Sequence, residues 1–383
     1  MKETVYLDNA ATSFPKPAPV LREVGNCVSR YCGNPGRGSH PLAMESAKKI
    51  YQCRELVSDF LGVGAPERVC FTLNTTYALN MLIKGVLRNG DHVLISDLEH
   101  NSVWRPICKL ADEGVIEYDI FPSMCGDPRA TPTRICAGIA RLLKKNTRLV
   151  ICVHASNVCS YSLPIYEIGA FCKRHGLLFA VDAAQSAGHL PINLTDACID
   201  AVCAPAHKGL YGIQGAGLVA FSERISPSTL IEGGNGLASL ESEMPADSPE
   251  RYEAGTLPTP SIAGLAEGIK VISKLGIDSI YDHEKALFRY AHNRLSKIKG
   301  ITVHMPQYAG SVLLFSHEKI SAEVVAAQLG DRGICVRGGF HCSALGHKTL
   351  GTEKTGAVRA SFGVFNTSRD VDRLAEALEK IRL

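Results

Sequence analysis

Two charged residues follow apolar stretches that are typical of buried strands. Asp182 ends the stretch "GLLFAVD", and Lys208 follows "CAPAH" 26 residues later. A buried carboxylate is costly unless a cation faces it, whereas a lysine held in a cleft has a depressed pKa and can form a Schiff base. A helix-capping aspartate and a surface lysine would look the same, so neither residue is decisive alone.

Together, an acid and a lysine at strand ends meet the two needs of pyridoxal 5'-phosphate (PLP). The acid keeps the pyridine nitrogen protonated and the lysine amine holds C4'. A phosphate site is predicted where "VCFTLNTTYALN" passes from strand to helix, because Thr75 and Thr76 would place hydroxyls and N–H groups at a helix N-terminus. A simple N-cap would look the same. His100 follows another strand end and either stacks on a flat ring or packs in the core.

Cys342, in the stretch "VRGGFHCSALG", is one of 14 cysteines. Most free cysteines are inert packing, so its type alone does not make it a nucleophile. None of the cysteines forms a C-x2-C pair, which disfavours zinc and iron–sulfur sites. No disulfide framework is expected in a chain this long without a secretion signal. Free thiols in a reducing cytosol are predicted, and no metal site. An iron–sulfur or zinc protein remains an alternative at this point.

The bulk properties exclude several classes of function. A chain of 383 residues is long enough for two domains, and a formal net charge of +3 gives no reason to expect a nucleic-acid partner. The N-terminus "MKETVYLDNAATSF" lacks the apolar core of a signal peptide, and the longest apolar runs have only strand length. We therefore expect a cytoplasmic protein without a membrane partner.

Strand-like and helix-like segments alternate between residues 65 and 220, which predicts a mostly parallel sheet with helices on both faces. The predicted strands are 69–72, 92–96, 115–121, 149–153, 177–181, 201–204 and 218–221. Functional residues should lie at the carboxyl ends of these strands. Residues 222–262 are rich in Gly, Ser, Pro and Glu and read as irregular. Helices near 262–275 and 280–298, strands near 301–304 and 310–315, and a C-terminal amphipathic helix predict a smaller α/β domain.

The order and spacing of these segments resemble the class V, fold-type I PLP enzymes, and within them the cysteine desulfurase and selenocysteine lyase group. The most specific elements are Asp-Ala-x-Gln at 182–185, His-Lys at 207–208 and Arg-x-Gly-x-x-Cys at 337–342. The resemblance runs from "YLDNAATSFPKP" to "VRASFGVFNTSRDVDRL". It implies an α/β fold-type I transferase with a seven-stranded sheet in a large PLP domain, 15–255. Residues 1–14 and 256–383 would form the small domain that carries the cysteine loop.

The resemblance also implies the cofactor contacts. It gives Lys208 as the Schiff-base lysine, Asp182 as the partner of the pyridine nitrogen and His100 as a catalytic, ring-stacking group. The other implied contacts are Gln185 at the phenolic oxygen, Thr75 and Thr76 in the phosphate cup, His207 at its rim, Asn157, and Thr256 reaching the other subunit's phosphate. Relatives carry a phosphate-binding serine where this chain has Pro205, which offers neither hydroxyl nor N–H. Other donors must replace it.

A homodimer with two shared sites is implied, with L-cysteine as substrate. Arg359 matches the arginine that grips the substrate carboxylate, for which a guanidinium is well shaped. Arg337, Asn157 and His40 match further substrate positions. Bound PLP would make the substrate sulfur electrophilic, and Cys342 would take it as a persulfide, leaving alanine. His341 and Arg337 are predicted to favour the thiolate.

Three other readings stay open. A selenocysteine lyase would use the same residues on L-selenocysteine. A class V aminotransferase or β-eliminating lyase would leave Cys342 incidental. A sulfur-carrier scaffold would serve mainly to deliver persulfide to an acceptor protein. The sequence does not identify that acceptor.

Overall fold

Strands and helices alternate along most of the chain. The structure, a computed structural model, describes residues 4–36, 38–237 and 239–382. The described strands are β1 (Val5–Tyr6), β2 (Val69–Thr72), β3 (Asp91–Ser96), β4 (Ile116–Phe121), β5 (Thr147–Val153), β6 (Leu178–Asp182), β7 (Ala201–Pro205), β8 (Gly217–Phe221), β9 (Ile301–His304), β10 (Val312–His317), β11 (Ile334–Cys335), β12 (Arg337–Gly339) and β13 (Ala357–Ser361).

The helices fall between these strands and at both ends of the chain. They are α1 (Ala18–Asn26), α2 (Pro41–Leu61), α3 (Thr75–Val86), α4 (Asn101–Asp112), α5 (Pro132–Leu142), α6 (Ile165–Arg174), α7 (Thr259–Leu275), α8 (Ile277–Leu295), α9 (Ala322–Asp331), α10 (Ala344–Thr349) and α11 (Ser368–Glu379). A π-helical turn, Cys27–Tyr31, extends α1. Among the helices of the described residues, none is long and apolar enough to span a bilayer.

Seven strands form one sheet in the order β2-β8-β7-β6-β5-β3-β4. The pairs from β7 through β6, β5 and β3 to β4 are parallel, and β8 is antiparallel to both of its neighbours. Because the strands are short apolar runs with helical segments between them, the chain has to cross back over the sheet after each parallel strand. The predicted fold class is confirmed, and each of the seven predicted strands matches an observed strand to within two residues at either end.

Successive side chains of the large sheet point to opposite faces, and a separate apolar cluster covers each face. On one face α2, α5, α6 and α7 pack against the sheet, and on the other face α3 and α4 do so. A third cluster joins α8, α9 and α11 to β10 and β13. These last two strands belong to an antiparallel sheet of four, in the order β12-β13-β10-β9. The chain thus has one large and one small layered unit.

The N-terminal segment packs on the small sheet. β1 pairs in parallel with β11, and Asp8 forms a bridge with Ser361 of β13. Helix α7, in contrast, packs on the large sheet, although it follows residue 256. The division at residues 14/15 and 255/256 therefore stays a prediction, and its residues 1–3 lie outside the described part of the chain.

A buried ion pair fixes the irregular connection between β8 and α7. The two terminal nitrogens of the Arg54 guanidinium donate to the two oxygens of Glu253, each at 2.7 Å. The N–H of Phe71 in β2 donates to the same carboxylate at 2.6 Å. Both charged side chains are only 6% exposed. Since the connection lacks strand or helix hydrogen bonds of its own, this contact sets the position of the residues that follow Glu253.

Changing Glu253 to Ala should therefore destabilise the fold strongly, because it leaves the Arg54 charge buried without a partner. We expect the free energy of unfolding, measured in urea, to fall by about 3–5 kcal/mol. Glu223 offers a matched control, since it pairs with Arg68 at the surface, where it is 79% exposed. Glu223→Ala should cost less than about 1 kcal/mol. Equal losses in the two variants would contradict this interpretation.

Candidate active site

A cavity lies at the carboxyl ends of the parallel strands, where the sequence places its candidate residues. It measures about 100 Å³ and lies next to a groove of about 400 Å³, with which it shares Thr76, His100 and Ser102. The predicted residues that line the cavity are Thr75, Thr76, His100, Asn157, Asp182, Gln185, His207 and Lys208. Eight side chains from distant parts of the sequence thus meet in one place.

Asp182 and Lys208 are the charged residues of this cavity. Asp182 is the last residue of β6 and is buried, which raises the pKa of its carboxyl, although the N–H of Ala184 donates to it at 2.9 Å. Burial lowers the pKa of Lys208 to about 8, against the opposing effect of Asp182. An appreciable fraction of the lysine is therefore neutral, and hence nucleophilic, near neutral pH. The acid has no ion-pair partner among the described residues, so a bound cation would relieve its burial.

The N-terminus of α3 forms one end of the cavity. The Asn74 side chain caps this helix by accepting from the N–H of Tyr77 at 3.0 Å. The first two N–H groups, those of Thr75 and Thr76, stay available for an anion. The Thr75 hydroxyl and the Nδ1 atom of His207 are buried without a hydrogen-bond partner. Unpaired donors around a helix N-terminus suit a phosphate group.

Ser102 is a cavity residue that the sequence analysis missed. Its hydroxyl lies 2.7 Å from the Thr76 hydroxyl and 2.8 Å from Nδ1 of His100. Pro205 also lines the cavity and, as expected, brings no donor to it. Ser102 thus supplies the cavity with a hydroxyl. The only sequence signal for it is its position two residues beyond the His100 cap, a position that many surface residues share.

His100 caps α4, and this contact defines its protonation. The N–H of Ser102 donates to Nδ1 of His100 at 3.1 Å, so the proton of the neutral ring lies on Nε2. Burial, together with the nearby cations Lys208 and Arg105, lowers the pKa of His100 to about 4. The ring is therefore neutral at physiological pH. A neutral, flat ring with one N–H can both stack on an aromatic cofactor and donate a proton.

Glu99 lies directly beneath the site. It is fully buried, and burial raises the pKa of its carboxyl to about 8. One carboxyl oxygen accepts from the Ser96 hydroxyl at 2.5 Å and from the N–H of Val153 at 2.7 Å, and the other oxygen has no partner. Glu99 is therefore mostly protonated near neutral pH. Glu99 thus adds little negative charge beside Asp182.

Arg359 is fixed at the boundary between the two sheets. It lies in β13 and is only 2% exposed. One of its terminal nitrogens donates to Asp8 at 2.8 Å, and the other donates to the carbonyl of Asn157 at 3.0 Å. Its Nε has no partner. The arginine is thus held from two sides, and it lines neither the cavity nor the groove itself.

Cys342 forms part of the wall of the groove. It is exposed, in contrast to the seven cysteines that are buried, and it faces the groove together with His100, Asn101 and Ser102. Its carbonyl accepts from the N–H of Asn101, the first residue of α4, at 2.8 Å. This thiol therefore lies in a groove that adjoins the cavity of Lys208.

The prediction that His341 favours the Cys342 thiolate is wrong. Its ring is buried, and burial lowers its pKa to about 3. Nε2 lies 3.1 Å from the Arg337 carbonyl, and Nδ1 lies 3.0 Å from Nε2 of His347. A neutral ring with both nitrogens bonded cannot favour a thiolate by its charge. The sequence could not reveal this, because adjacency to Cys342 says nothing about the direction of the ring.

Three predicted substrate or cofactor residues lie away from the cavity of their own chain. His40 is exposed and caps α2 through Nδ1. Thr256 lines a different cavity, and its hydroxyl accepts from Asn34 at 3.3 Å. Arg337 is exposed on β12, opposite Arg359 of β13. The structure of one chain does not bring His40 or Thr256 to Lys208, whereas Arg337 lies near enough to contribute to the lowered pKa of Lys208 and of His100.

The chain is similar to known proteins along most of its length. Residues 5–374 match the family model described as "Aminotransferase class-V". The chain belongs to this family. A relative from Methanothermobacter thermautotrophicus named "Probable cysteine desulfurase" is 33% identical over 391 residues, covering 100% of this chain and 95% of its own. A "Cysteine desulfurase" from Yersinia pestis is 31% identical, with 98% and 93% covered.

A solved structure of similar length agrees with this assignment. The apo structure of a cysteine desulfurase from Thermococcus onnurineus superimposes with a TM-score of 0.87 at 29% identity, covering 98% of this chain and 94% of the other. The predicted membership of the cysteine desulfurase group of class V, fold-type I PLP enzymes is confirmed. Members of this family depend on PLP, and among the described residues no cluster of His, Cys, Asp or Glu could hold a metal ion.

The cavity fits PLP. The unpaired Thr75 hydroxyl and His207 Nδ1 face the position of a phosphate, and Asp182 is an acid without a cation, which a protonated pyridine nitrogen would supply. The Oδ1 atom of Asn157 is buried and also unpaired. Lys208 supplies the amine. The unpaired groups of Thr75, His207 and Asp182 thus each have a complement on the cofactor.

The lowered pKa of Lys208 predicts how apoprotein captures PLP. Only the neutral amine attacks an aldehyde, so the rate of covalent capture should rise as pH increases through about 8 and level off above it. An ordinary lysine would show this rise near pH 10.4. Visible absorbance in stopped flow measures the rate. Lys208→Ala should give no covalent capture, and a rise centred near the ordinary lysine pKa would contradict the assignment.

Proposed function

We propose that this chain is a PLP-dependent cysteine desulfurase that converts L-cysteine to L-alanine and holds the removed sulfur as a persulfide on Cys342. The observation that carries the proposal is the adjacency of the two spaces. The cavity around Lys208 and the groove beside Cys342 share His100 and Ser102 as lining residues. A substrate attached at Lys208 would thus lie next to the groove that holds an exposed thiol.

Each side chain of the cavity has a task in this reaction. Lys208 would hold PLP, Asp182 would keep its ring nitrogen protonated, and His100 would lie on its face. When bound, PLP withdraws electrons from the substrate and makes the sulfur electrophilic. Glu99, mostly neutral, leaves Asp182 as the negative charge beneath the ring. Burial of these groups excludes water, which strengthens their interaction with a bound cofactor.

The remaining residues orient the substrate and accept its sulfur. The free N–H of Arg359 would bind the carboxylate of L-cysteine, which fixes the direction of the side chain. A bond forms between Cys342 Sγ and the substrate sulfur as the substrate C–S bond breaks, and the bonding electrons stay with carbon. That carbon then needs a proton to become the methyl group of alanine. Nε2 of His100 and the Lys208 amine are the nearby donors.

Selenocysteine lyase activity is a second outcome of the same site. The residues proposed for L-cysteine serve L-selenocysteine equally, and selenium leaves carbon more easily than sulfur. A thiolate acceptor is then less necessary. The two substrates are best separated by their dependence on Cys342, which a direct comparison of variants measures.

We also propose that the enzyme is a cytoplasmic homodimer that passes its sulfur to an acceptor protein. The match of the segment 251–262 to one that crosses between subunits supports a homodimer, and Thr256 lies outside the cavity of its own chain. All 14 cysteines are free, as expected in the reducing cytoplasm. A sulfur-acceptor protein would then collect the persulfide. A carrier scaffold, the alternative to an enzyme, would show no alanine production without that acceptor.

Changing Cys342 to Ala tests the proposed acceptor directly. PLP should remain bound, because Lys208 and Asp182 are untouched, whereas sulfide release from L-cysteine should fall at least about a hundredfold because the attacking group is lost. Activity on L-selenocysteine should fall much less. Mass spectrometry of the wild type after one turnover should find sulfur on the Cys342 peptide, removable by reductant.

A matched control comes from the same chain. Cys32 is the other exposed cysteine, and Cys32→Ala should keep the wild-type rate. If Cys342→Ala desulfurates L-cysteine normally, the β-lyase or aminotransferase alternative replaces this proposal.

Shared sites predict complementation between two inactive variants. Lys208→Ala removes the cofactor lysine, and Thr256→Glu places a negative charge where the partner's phosphate would lie. After the two are unfolded and refolded together, mixed dimers should regain one intact site. About a quarter of the wild-type activity is expected if subunits pair at random. Activity no greater than the sum of the two separate variants would show that each site belongs to one chain.

A further inference from the structure

Three buried side chains next to the Cys342 loop are joined in a row by hydrogen bonds. His341 precedes the cysteine, His347 lies on α10 and Thr352 follows that helix. Their exposed fractions are 5%, 0% and 4%. Nε2 of His341 is 3.1 Å from the Arg337 carbonyl, Nδ1 of His341 is 3.0 Å from Nε2 of His347, and Nδ1 of His347 is 2.7 Å from the Thr352 hydroxyl.

The Arg337 carbonyl fixes the position of each proton in this row of hydrogen bonds. A carbonyl only accepts, so Nε2 of His341 donates to it and Nδ1 of the neutral ring accepts. Nε2 of His347 must then be the donor to His341, which leaves Nδ1 of His347 to accept from the Thr352 hydroxyl. Burial lowers the pKa of His341 to about 3 and that of His347 to about 4. Both rings are therefore neutral at physiological pH, as this order requires.

The backbone that carries Cys342 needs such support. His341 and Cys342 have φ values of 51° and 54°, in the left-handed region that residues with a Cβ adopt rarely. Two successive residues in this region do not hold their conformation by themselves. The Nδ2 of Asn157 binds the carbonyl of His341 at 2.7 Å, and Asn101 binds that of Cys342. These bonds hold the backbone from the large-sheet side, whereas the His341 ring is held from the small-sheet side.

The three side chains also tie Cys342 to Arg359. The Arg337 carbonyl belongs to β12, whose residue 337 is directly opposite Arg359 on β13. Thr352 lies just before β13, where its carbonyl accepts from Gly356 at 2.9 Å. One substrate molecule must reach Arg359 with its carboxylate and Cys342 with its sulfur. The distance between these two groups therefore has to be constant.

We propose that His347 and Thr352 are positioning residues for sulfur transfer, which fix the Cys342 loop relative to Arg359 by way of the His341 ring. This rests on the proposed function, in which Cys342 accepts the sulfur. Neither residue contacts the cavity or the groove. Their effect should thus fall on the transfer step and leave cofactor and substrate binding unchanged, because a misplacement of about 1 Å is enough to cost about a hundredfold in rate.

The experiment compares variants that keep or lose each hydrogen bond. In His347→Gln an amide N–H can still donate to His341, whereas His347→Met has a similar volume and no donor. Thr352→Ser keeps the hydroxyl, and Thr352→Val loses it with little change of shape. We expect His347→Met and Thr352→Val to lower kcat for L-cysteine about tenfold or more, and His347→Gln and Thr352→Ser to stay within about threefold of wild type.

Two further readouts distinguish positioning from general destabilisation. The Kd for PLP and the KM for L-cysteine should be unchanged, and backbone hydrogen exchange should accelerate in residues 340–346 only. His283→Met is the matched control, since His283 makes one bond, at 3.0 Å, to the Asn366 carbonyl elsewhere in the small unit. It should leave both kcat and exchange at 340–346 as they are in the wild type.

Three results would overturn the proposal: a normal kcat in His347→Met, equal losses in the Met and Gln variants, or faster exchange throughout residues 280–380 together with weaker PLP binding. Cys342→Ala is assayed in parallel. If that variant is fully active, the proposed function fails. If it is inactive while His347→Met is normal, only the positioning role fails.

Discussion

The placement of two cationic side chains, the half-buried Lys208 and the buried Arg359, constrains the whole site. Lys208 follows a strand of the large sheet and Arg359 lies in the small sheet, and the N-terminal segment connects them. Asp8 pairs with Arg359, and the Ser13 hydroxyl donates to the Lys208 carbonyl at 3.0 Å. Between them, the Ala10 carbonyl accepts from Gln185 at 2.9 Å. Since each cation loses much of its hydration, neither position is tolerable without this support.

Burial has opposite consequences for the acids and the bases of the site, and the result is a small number of charges. It makes His100 and His341 neutral, lowers the pKa of Lys208 to about 8 and keeps Glu99 mostly protonated. What remains is a site with one strongly basic group, Arg359, for the substrate carboxylate. A cofactor that brings its own phosphate and pyridinium charges then finds a complement for each. The low number of fixed charges therefore favours a charged cofactor over a neutral one.

The strands and their ends could be predicted because the signal is local. An apolar run followed by a polar residue marks both Asp182 and Lys208, and parallel topology then brings such ends together. Contacts between residues far apart in sequence give no such local signal in the amino-acid sequence. Asp8 and Arg359 are 351 positions apart, and the stretch "ALGHKT" around His347 is too short to show a helical period. Thr256 and His40 lie outside the cavity of their own chain, and the sequence carries no local signal for which side chains meet there.

Pro205 illustrates how one substitution is compatible with the rest of the site. A serine at that position would offer the phosphate a hydroxyl from the lysine side of the cavity. In this chain the Ser102 hydroxyl also lines the cavity, within hydrogen-bond distance of both Thr76 and His100. A hydroxyl that bonds both of these side chains fixes their separation. The donor that Pro205 lacks is thus accompanied by a contact that orders Thr76 and His100, and the cavity keeps its shape with a proline in the strand.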